Sequence, residues 1–300
     1  MDSPRLPRFT RTSSAAPFQL TERDHDIIRQ VNRHRFLCSS HISTLVGGSS
    51  QQVLRRLQSL YHHRFLERPR CQLDFYYKTG SQRMVYGLGD KGAELLREQR
   101  IDFPHPRSSE KNSKVGRPYL EHALSVSDVM VAVELSCRKR CDVRFLARGE
   151  LPSPPEREDQ PFRWNVELRS GVKLGLIPDQ VFALERSSGE RAFFFVEADR
   201  GTMPVVRANL SQTSMYRKLL AYTATWRQSL HQTLFGFHRF RVIILTTGMA
   251  RIQSLVDACA RLEYGHNLFL MGHADQLASD DILTLPLQTG RAGEFSALLD

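Results

Sequence analysis

Apolar residues change their spacing part-way along this chain. From Thr21 onward they recur every three or four residues, as at Ile27, Ile28 and Val31, which is the period of a helix with one buried face. Thr21 and Asp24 form a cap-like pair at its start. Ser39 or Ser40 caps a short second helix carrying Ile42, Leu45 and Val46, and Gly47-Gly48-Ser49-Ser50 breaks it. Gln51 to Arg64 makes a third helix with Val53, Leu54, Leu57, Leu60 and Tyr61 inward. Strand-like segments follow at Phe65-Leu66-Glu67, Asp74 to Lys78 and Met84 to Leu88, the last two joined by the turn Thr79 to Gln82. A helix from Asp90 to Arg100 closes this unit.

Residues 1–18 carry Pro, Ser, Thr and Arg without periodicity and read as a flexible basic arm. Residues 101–118, rich in Pro, Ser and Lys/Arg, read as a linker between residues 19–100 and a second domain at 119–275. That domain opens with a helix from Tyr119 to Arg140, a strand from Asp142 to Ala147 and a Pro/Glu-rich loop from Leu151 to Pro161. Two apolar strands follow, Leu174 to Leu184 and Ala192 to Thr202. Then come a helix (Met215 to Leu230), a strand (Phe240 to Gly248), a helix (Met249 to Leu262) and a strand (Leu268 to Met271). Residues 276–300 read as a polar tail. The fold class is therefore α/β around a mixed sheet, α+β for the chain as a whole.

Charge sharpens the division. The net charge is +10, and residues 1–120 hold 21 Lys+Arg against 11 Asp+Glu, whereas residues 121–300 hold 21 of each. A basic module joined to a neutral one points to a polyanion as partner of the first part. Three helices followed by a hairpin describe a winged helix-turn-helix, whose third helix enters the major groove of double-stranded DNA. The candidate DNA contacts are Gln51, Gln52, Arg55, Arg56 and Ser59 on that helix, with Lys78 and Arg83 near the wing. The competing reading is a solvated polar face that binds protein.

The second domain carries the candidate chemistry. Its apolar strands hold Asp179, Glu197 and Asp199, and an unpaired carboxylate is expensive to bury in a sheet core. Oxygen ligands on adjacent strands suit Mg²⁺ or Mn²⁺, so Asp179, Glu197 and Asp199 form a candidate metal site. The competing reading is a salt-bridge network in which Arg200, Arg217 and Lys218 neutralise the carboxylates. Pro178-Asp179 on one strand and Glu197-Ala198-Asp199 on the next resemble the core of the restriction-endonuclease-like, PD-(D/E)xK, nuclease superfamily. The resemblance implies metal binding by Asp179 and Glu197, with Glu134 as a weaker match to a helix glutamate. The superfamily's lysine is replaced here by Asp199, and Lys218 on the next helix is the residue that can supply the ammonium.

Taken over roughly residues 20–270, the chain resembles the replication-relaxation family, a group associated with plasmids and other mobile elements. The matching stretches are Thr21-Glu22-Arg23-Asp24, Tyr86-Gly87-Leu88-Gly89-Asp90-Lys91-Gly92, His122-Ala123-Leu124 with Asp128, Pro178-Asp179, Glu197 to Thr202, and Lys218 with Tyr222. Membership implies DNA binding connected with replication, relaxation or mobilisation. Mg²⁺-dependent cleavage by Asp179, Glu197, Asp199 and Lys218 is one expectation. The others are a non-catalytic accessory that recruits a relaxase or replication protein, and a transcription regulator whose second domain binds an effector or forms a homodimer.

Other chemistry is excluded or weak. No run approaches the length of a membrane span and no secretory signal opens the chain. The five cysteines, with no CxxC pair, read as reduced cytoplasmic thiols. His62-His63 reads as a phosphate contact or plain surface, and no Walker phosphate loop occurs.

Overall fold

The computed structural model describes residues 7–12, 18–73, 83–101, 108–152, 162–278 and 281–300. It divides into two units, Met1–Val131 and Ala132–Asp300.

In the first unit three helices, α1 (Glu22–His34), α2 (Ser39–Val46) and α3 (Ser50–His62), follow the apolar periodicity. Ile27, Ile28, Val31, Ile42, Val53, Leu57 and Leu60 are all fully buried between them. Asp24 caps the first helix as expected, its Oδ2 accepting the Thr21 main-chain N–H at 2.7 Å. Leu54, expected inward, is exposed.

A three-stranded antiparallel sheet packs beside the helices in the order β1 (Phe36–Cys38), β3 (Val85–Leu88), β2 (Leu66–Glu67). The strand β1 was not legible as one, because its three apolar residues show no alternation. The expected strand Asp74–Lys78 and its turn lie outside the described residues. Two helices, α4 (Asp90–Glu98) and α5 (Ser108–Ser113), follow. The second falls where a linker was expected, and its fully buried Asn112 donates to the Leu88 carbonyl at 3.1 Å. The glycine-rich stretch after β3 has a packing cause. A Cβ at Gly89 or Gly92 would collide with the main chain of Arg64 and Phe65, and Gly89 N–H donates to the Phe65 carbonyl at 2.9 Å. The described part of the N-terminal arm is also docked. Arg11 pairs with Glu67 at 2.7 Å, and Arg68 donates to the Arg8 carbonyl.

The division between units falls within the long helix α6 (Arg117–Arg138). In the second unit a seven-stranded mixed sheet forms from β4 (Val143–Ala147), β7 (Gln180–Arg186), β8 (Arg191–Asp199), β9 (Phe240–Thr246), β10 (Phe269–His273), β11 (Leu287–Thr289) and β12 (Phe295–Ser296). The spatial order is β12-β11-β10-β9-β8-β7-β4, with β8, β9 and β10 parallel and the other pairs antiparallel. Residues 276–300 are thus not merely a polar tail: Leu283, Leu285 and Leu287 are buried and two strands extend the sheet.

The strand expected over Leu174–Leu184 is broken at Pro178, which has no N–H to give to a ladder. Its first part, β6 (Lys173–Leu176), pairs instead with β5 (Trp164–Glu167) in a separate two-stranded sheet. The helices α7 (Met215–Arg227), α8 (Leu230–Phe235) and α9 (Met249–Cys259) complete the unit. Phe195, Tyr222, Phe237 and Val242 lie in one apolar cluster drawn from β8, β9 and the helical segments. Among the described residues, no helix is long and apolar enough to cross a membrane.

Candidate functional site

The break at Pro178 places Asp179 at the very start of β7. Antiparallel register then sets Gln180 opposite Val196, one step before Glu197. Asp179 is held twice by β8: its main-chain N–H donates to the Val196 carbonyl at 3.1 Å, and its Oδ2 accepts the Ala198 N–H at 2.9 Å. Glu197 is fully buried at the end of the Phe193–Val196 run. Two residues one helical turn apart on α7 cover it. Lys218 donates to Oε2 and the Tyr222 hydroxyl donates to Oε1 at 2.7 Å. The helix starts where Ser214 Oγ accepts the Arg217 N–H at 3.2 Å, and this cap fixes which turn faces the sheet.

These contacts shift the protonation of all three groups. Burial pushes the Glu197 carboxyl up to about 7, with nearby Asp179 adding to the rise and Lys218 and Tyr222 opposing it. Burial works against the Lys218 charge, yet Glu197 and Asp179 hold its ammonium above the ordinary value. Burial and Glu197 also raise the Tyr222 phenol well above its usual range. The folded chain therefore binds the Glu197 proton more tightly than the unfolded chain does. Its effect on stability is complete at low pH and is lost as the pH rises from the ordinary glutamate value to about 7. Glu197→Gln is expected to remove that downward slope. Urea midpoints of both proteins across this window test it, and parallel curves would refute it.

Asp199 also favours the Lys218 charge, but its hydrogen-bonded partner is a different cation. Arg251, on the first turn of α9, grips it with Nε at 2.7 Å from Oδ2 and an Nη2 at 3.0 Å from Oδ1. Thr246 at the end of β9 and the Gly201 N–H complete its shell at 3.0 and 3.1 Å. Strand alternation does put Glu197 and Asp199 on one face, but a different cation claims each. The expected three-carboxylate convergence is corrected accordingly: among the described residues, no three His, Cys, Asp or Glu side chains gather to hold a metal ion. Glu134 is likewise committed, pairing with Arg138 on its own helix at 2.6 Å. Of the basic residues expected around the carboxylates (Arg200, Arg217 and Lys218), Lys218 reaches Glu197, while Asp199 is held by Arg251, a residue not recognised in the sequence. No local signal reveals it, since it lies 52 positions along the chain from Asp199.

In the first unit, Gln51, Gln52 and Arg55 are exposed on α3 and Ser59 is half-buried. Arg23 on α1 donates to Gln52 at 3.4 Å, and Thr21, Arg23, Gln52, Arg55 and Arg56 line a concave surface. Arg56 is not a free contact residue. Its Nε donates to Asp24 Oδ1 at 2.9 Å, its guanidinium lies 4.2 Å from the Phe18 ring centre, and Asp24 is fully buried. Together with Thr21, Arg56 holds the Asp24 carboxyl below its usual range against the opposing effect of burial. Arg83 is exposed and donates to Ser40 Oγ at 3.0 Å, and Lys78 lies outside the described residues. His62, read as a surface or phosphate residue, is buried and accepts the Thr12 N–H at 3.3 Å.

A family model described as replication-relaxation matches residues 28–238, well over half of the chain. No curated protein and no solved structure matches it.

Proposed function

The chain belongs to the replication-relaxation family, and from that premise we propose that it is a duplex-DNA-binding accessory acting in the replication or relaxation of plasmid or mobile-element DNA. In this reading the first unit is a winged helix-turn-helix whose α3 enters the major groove. The second is a nuclease-like domain whose carboxylates serve structure, and which offers a docking surface to a relaxase or replication protein.

The observation that carries the DNA assignment is the exposed α3 face. Gln51, Gln52 and Arg55 stand out from it while Val53, Leu57 and Leu60 anchor the opposite side, within residues 1–120, which hold all the excess positive charge. Glutamine and arginine are the side chains that reach base edges and phosphates from a recognition helix. The accessory role rests on the donor set around the acids. A divalent cation needs carboxylate oxygens turned towards one point. Here both oxygens of Glu197 take protein donors, both oxygens of Asp199 face Arg251, and Asp179 is tied to the Ala198 N–H. These residues do not fit an Mg²⁺ or Mn²⁺ site, and no catalytic step is assigned to them.

Two measurements test this reading. Binding to random duplex DNA, followed by fluorescence anisotropy, is expected to weaken steeply with salt. Arg55→Ala should lower affinity and reduce the salt slope by about one. In parallel, supercoiled plasmid is expected to stay intact across Mg²⁺ and Mn²⁺ titrations, and Asp179→Ala to leave DNA affinity unchanged. Salt-independent or absent binding would overturn the DNA assignment. Metal-dependent nicking that Asp179→Ala abolishes would instead establish the nuclease reading, with Lys218 as its ammonium.

A further inference from the structure

The second unit holds a cavity of about 360 Å³ at the end of its sheet opposite to the acids. Its lining includes Phe193 and Phe240, register partners at the start of β8 and β9, whereas Glu197 and Asp199 stand at the other end of β8. The end of α7, the short 3-10 turn His266–Leu268 before β10 and residues 298–300 supply further walls.

The charge on this lining is unbalanced. Four arginines, Arg186, Arg239, Arg241 and Arg291, stand against two carboxylates, Glu190 and Asp300. Arg239 pairs with Glu190, and Arg291 lies 3.6 Å from Glu294. The other two hold no carboxylate. Arg186 donates to the Leu299 carbonyl, and Arg241 Nη1 donates to Ser296 Oγ at 2.7 Å and to the Ala297 carbonyl at 3.1 Å. A guanidinium carries five N–H donors, so both keep donors to spare. Burial lowers the Arg241 pKa and Arg239 adds to the fall, with Asp300 opposing. A half-buried guanidinium short of a counter-charge is stabilised by an incoming anion.

Trp226 gives the same cavity a flat apolar surface. His231 stacks on its ring with centroids 4.8 Å apart, and Phe240 meets it edge-on at 5.8 Å, so the indole is fixed in place. It nevertheless remains 38% exposed. Bases stack on such rings, and arginine forks match phosphate oxygens. Asn267, exposed on the same lining, adds an amide able to donate to or accept from a base edge. The volume lies at the lower end of the range usual for small-molecule sites, which suits a single nucleotide. We propose that this cavity binds a free nucleoside monophosphate, its base stacked on Trp226 and its phosphate held by Arg186 and Arg241. The site lies wholly in the second unit and does not depend on the assignment of DNA binding.

Calorimetric titration of the full-length protein with AMP, GMP, CMP and UMP tests this. At least one is expected to bind more tightly than about 1 mM, with its nucleoside and inorganic phosphate each at least about tenfold weaker. Binding should also quench tryptophan emission, because Trp226 is the exposed one of the two tryptophans and Trp164 is buried. Trp226→Leu should weaken the nucleotide about tenfold. Arg186→Gln keeps a donor for the Leu299 carbonyl while removing the charge, and should weaken it by a similar factor of about ten. Arg186 is exposed, so this variant keeps the test valid if Trp226→Leu fails to fold. Failure of all four nucleotides to bind, or inorganic phosphate binding as tightly as they do, would overturn the proposal. So would a lowered urea midpoint in Arg186→Gln with nucleotide affinity unmoved, which would make the arginine a staple for residues 298–300.

Discussion

Arg251→Ala is expected to lower the unfolding free energy by about 3 kcal/mol, the usual scale for unpairing a buried charge. Asp199 is almost wholly buried and spends both carboxylate oxygens on this guanidinium, leaving only the Thr246 hydroxyl and the Gly201 N–H when it is gone. The same arginine also ties the Met203 carbonyl to the start of α9, so the loop after β8 should loosen with it. Replacing both partners, as Arg251→Met with Asp199→Leu, should cost less than the single change, because no charge is then stranded. Urea unfolding of the four proteins measures this. A single variant as stable as the wild type would mean that Asp199 is solvated or protonated, and the route to a metal-binding role for it would reopen.

A loss of similar size, about 3 kcal/mol, is expected from Arg56→Ala in the first unit. Asp24 is completely buried, and its oxygens serve Thr21 at the start of α1 as well as Arg56 from α3. Removing the guanidinium leaves the capping carboxylate without its counter-charge and frees α3 from the Gln19 carbonyl. If α3 is the recognition helix proposed above, an arginine on it is ordinarily a DNA contact, so the two roles separate cleanly. A structural Arg56 lowers the urea midpoint while Arg55→Ala does not. A DNA-reading Arg56 would leave the midpoint where it is and abolish binding instead.

Much of the architecture is legible in the amino-acid sequence. The three-and-four spacing of Ile27, Ile28 and Val31 marked α1, and the acid three residues after Thr21 marked its start. The Phe193–Val196 run was rightly a central strand, flanked by β7 and β9. What escaped was short or lacked alternation: three-residue β1, the β5–β6 pair, and β11 and β12 in what read as a tail. Pro178 gave a visible warning that Leu174–Leu184 could not run as one strand, since proline removes a ladder donor. At the site, Asp179, Glu197 and Lys218 were identified as related, and Lys218 does reach Glu197. Arg251 went unseen because it and Asp199 lie on separate elements, 52 positions apart in the chain.

The amino-acid order by itself determined the periodicities, the helix starts, the basic excess within residues 1–120 and the presence of acids at the ends of apolar strands. Only the folded arrangement decided which cation each acid meets: Lys218 for Glu197, Arg251 for Asp199 and Arg56 for Asp24. The physical reason is that strand and helix signals are written in neighbouring residues, whereas Coulomb attraction and desolvation depend on distance through space. A partner dozens of positions away is invisible along the chain and dominant once the sheet and its covering helices bring it within hydrogen-bonding reach.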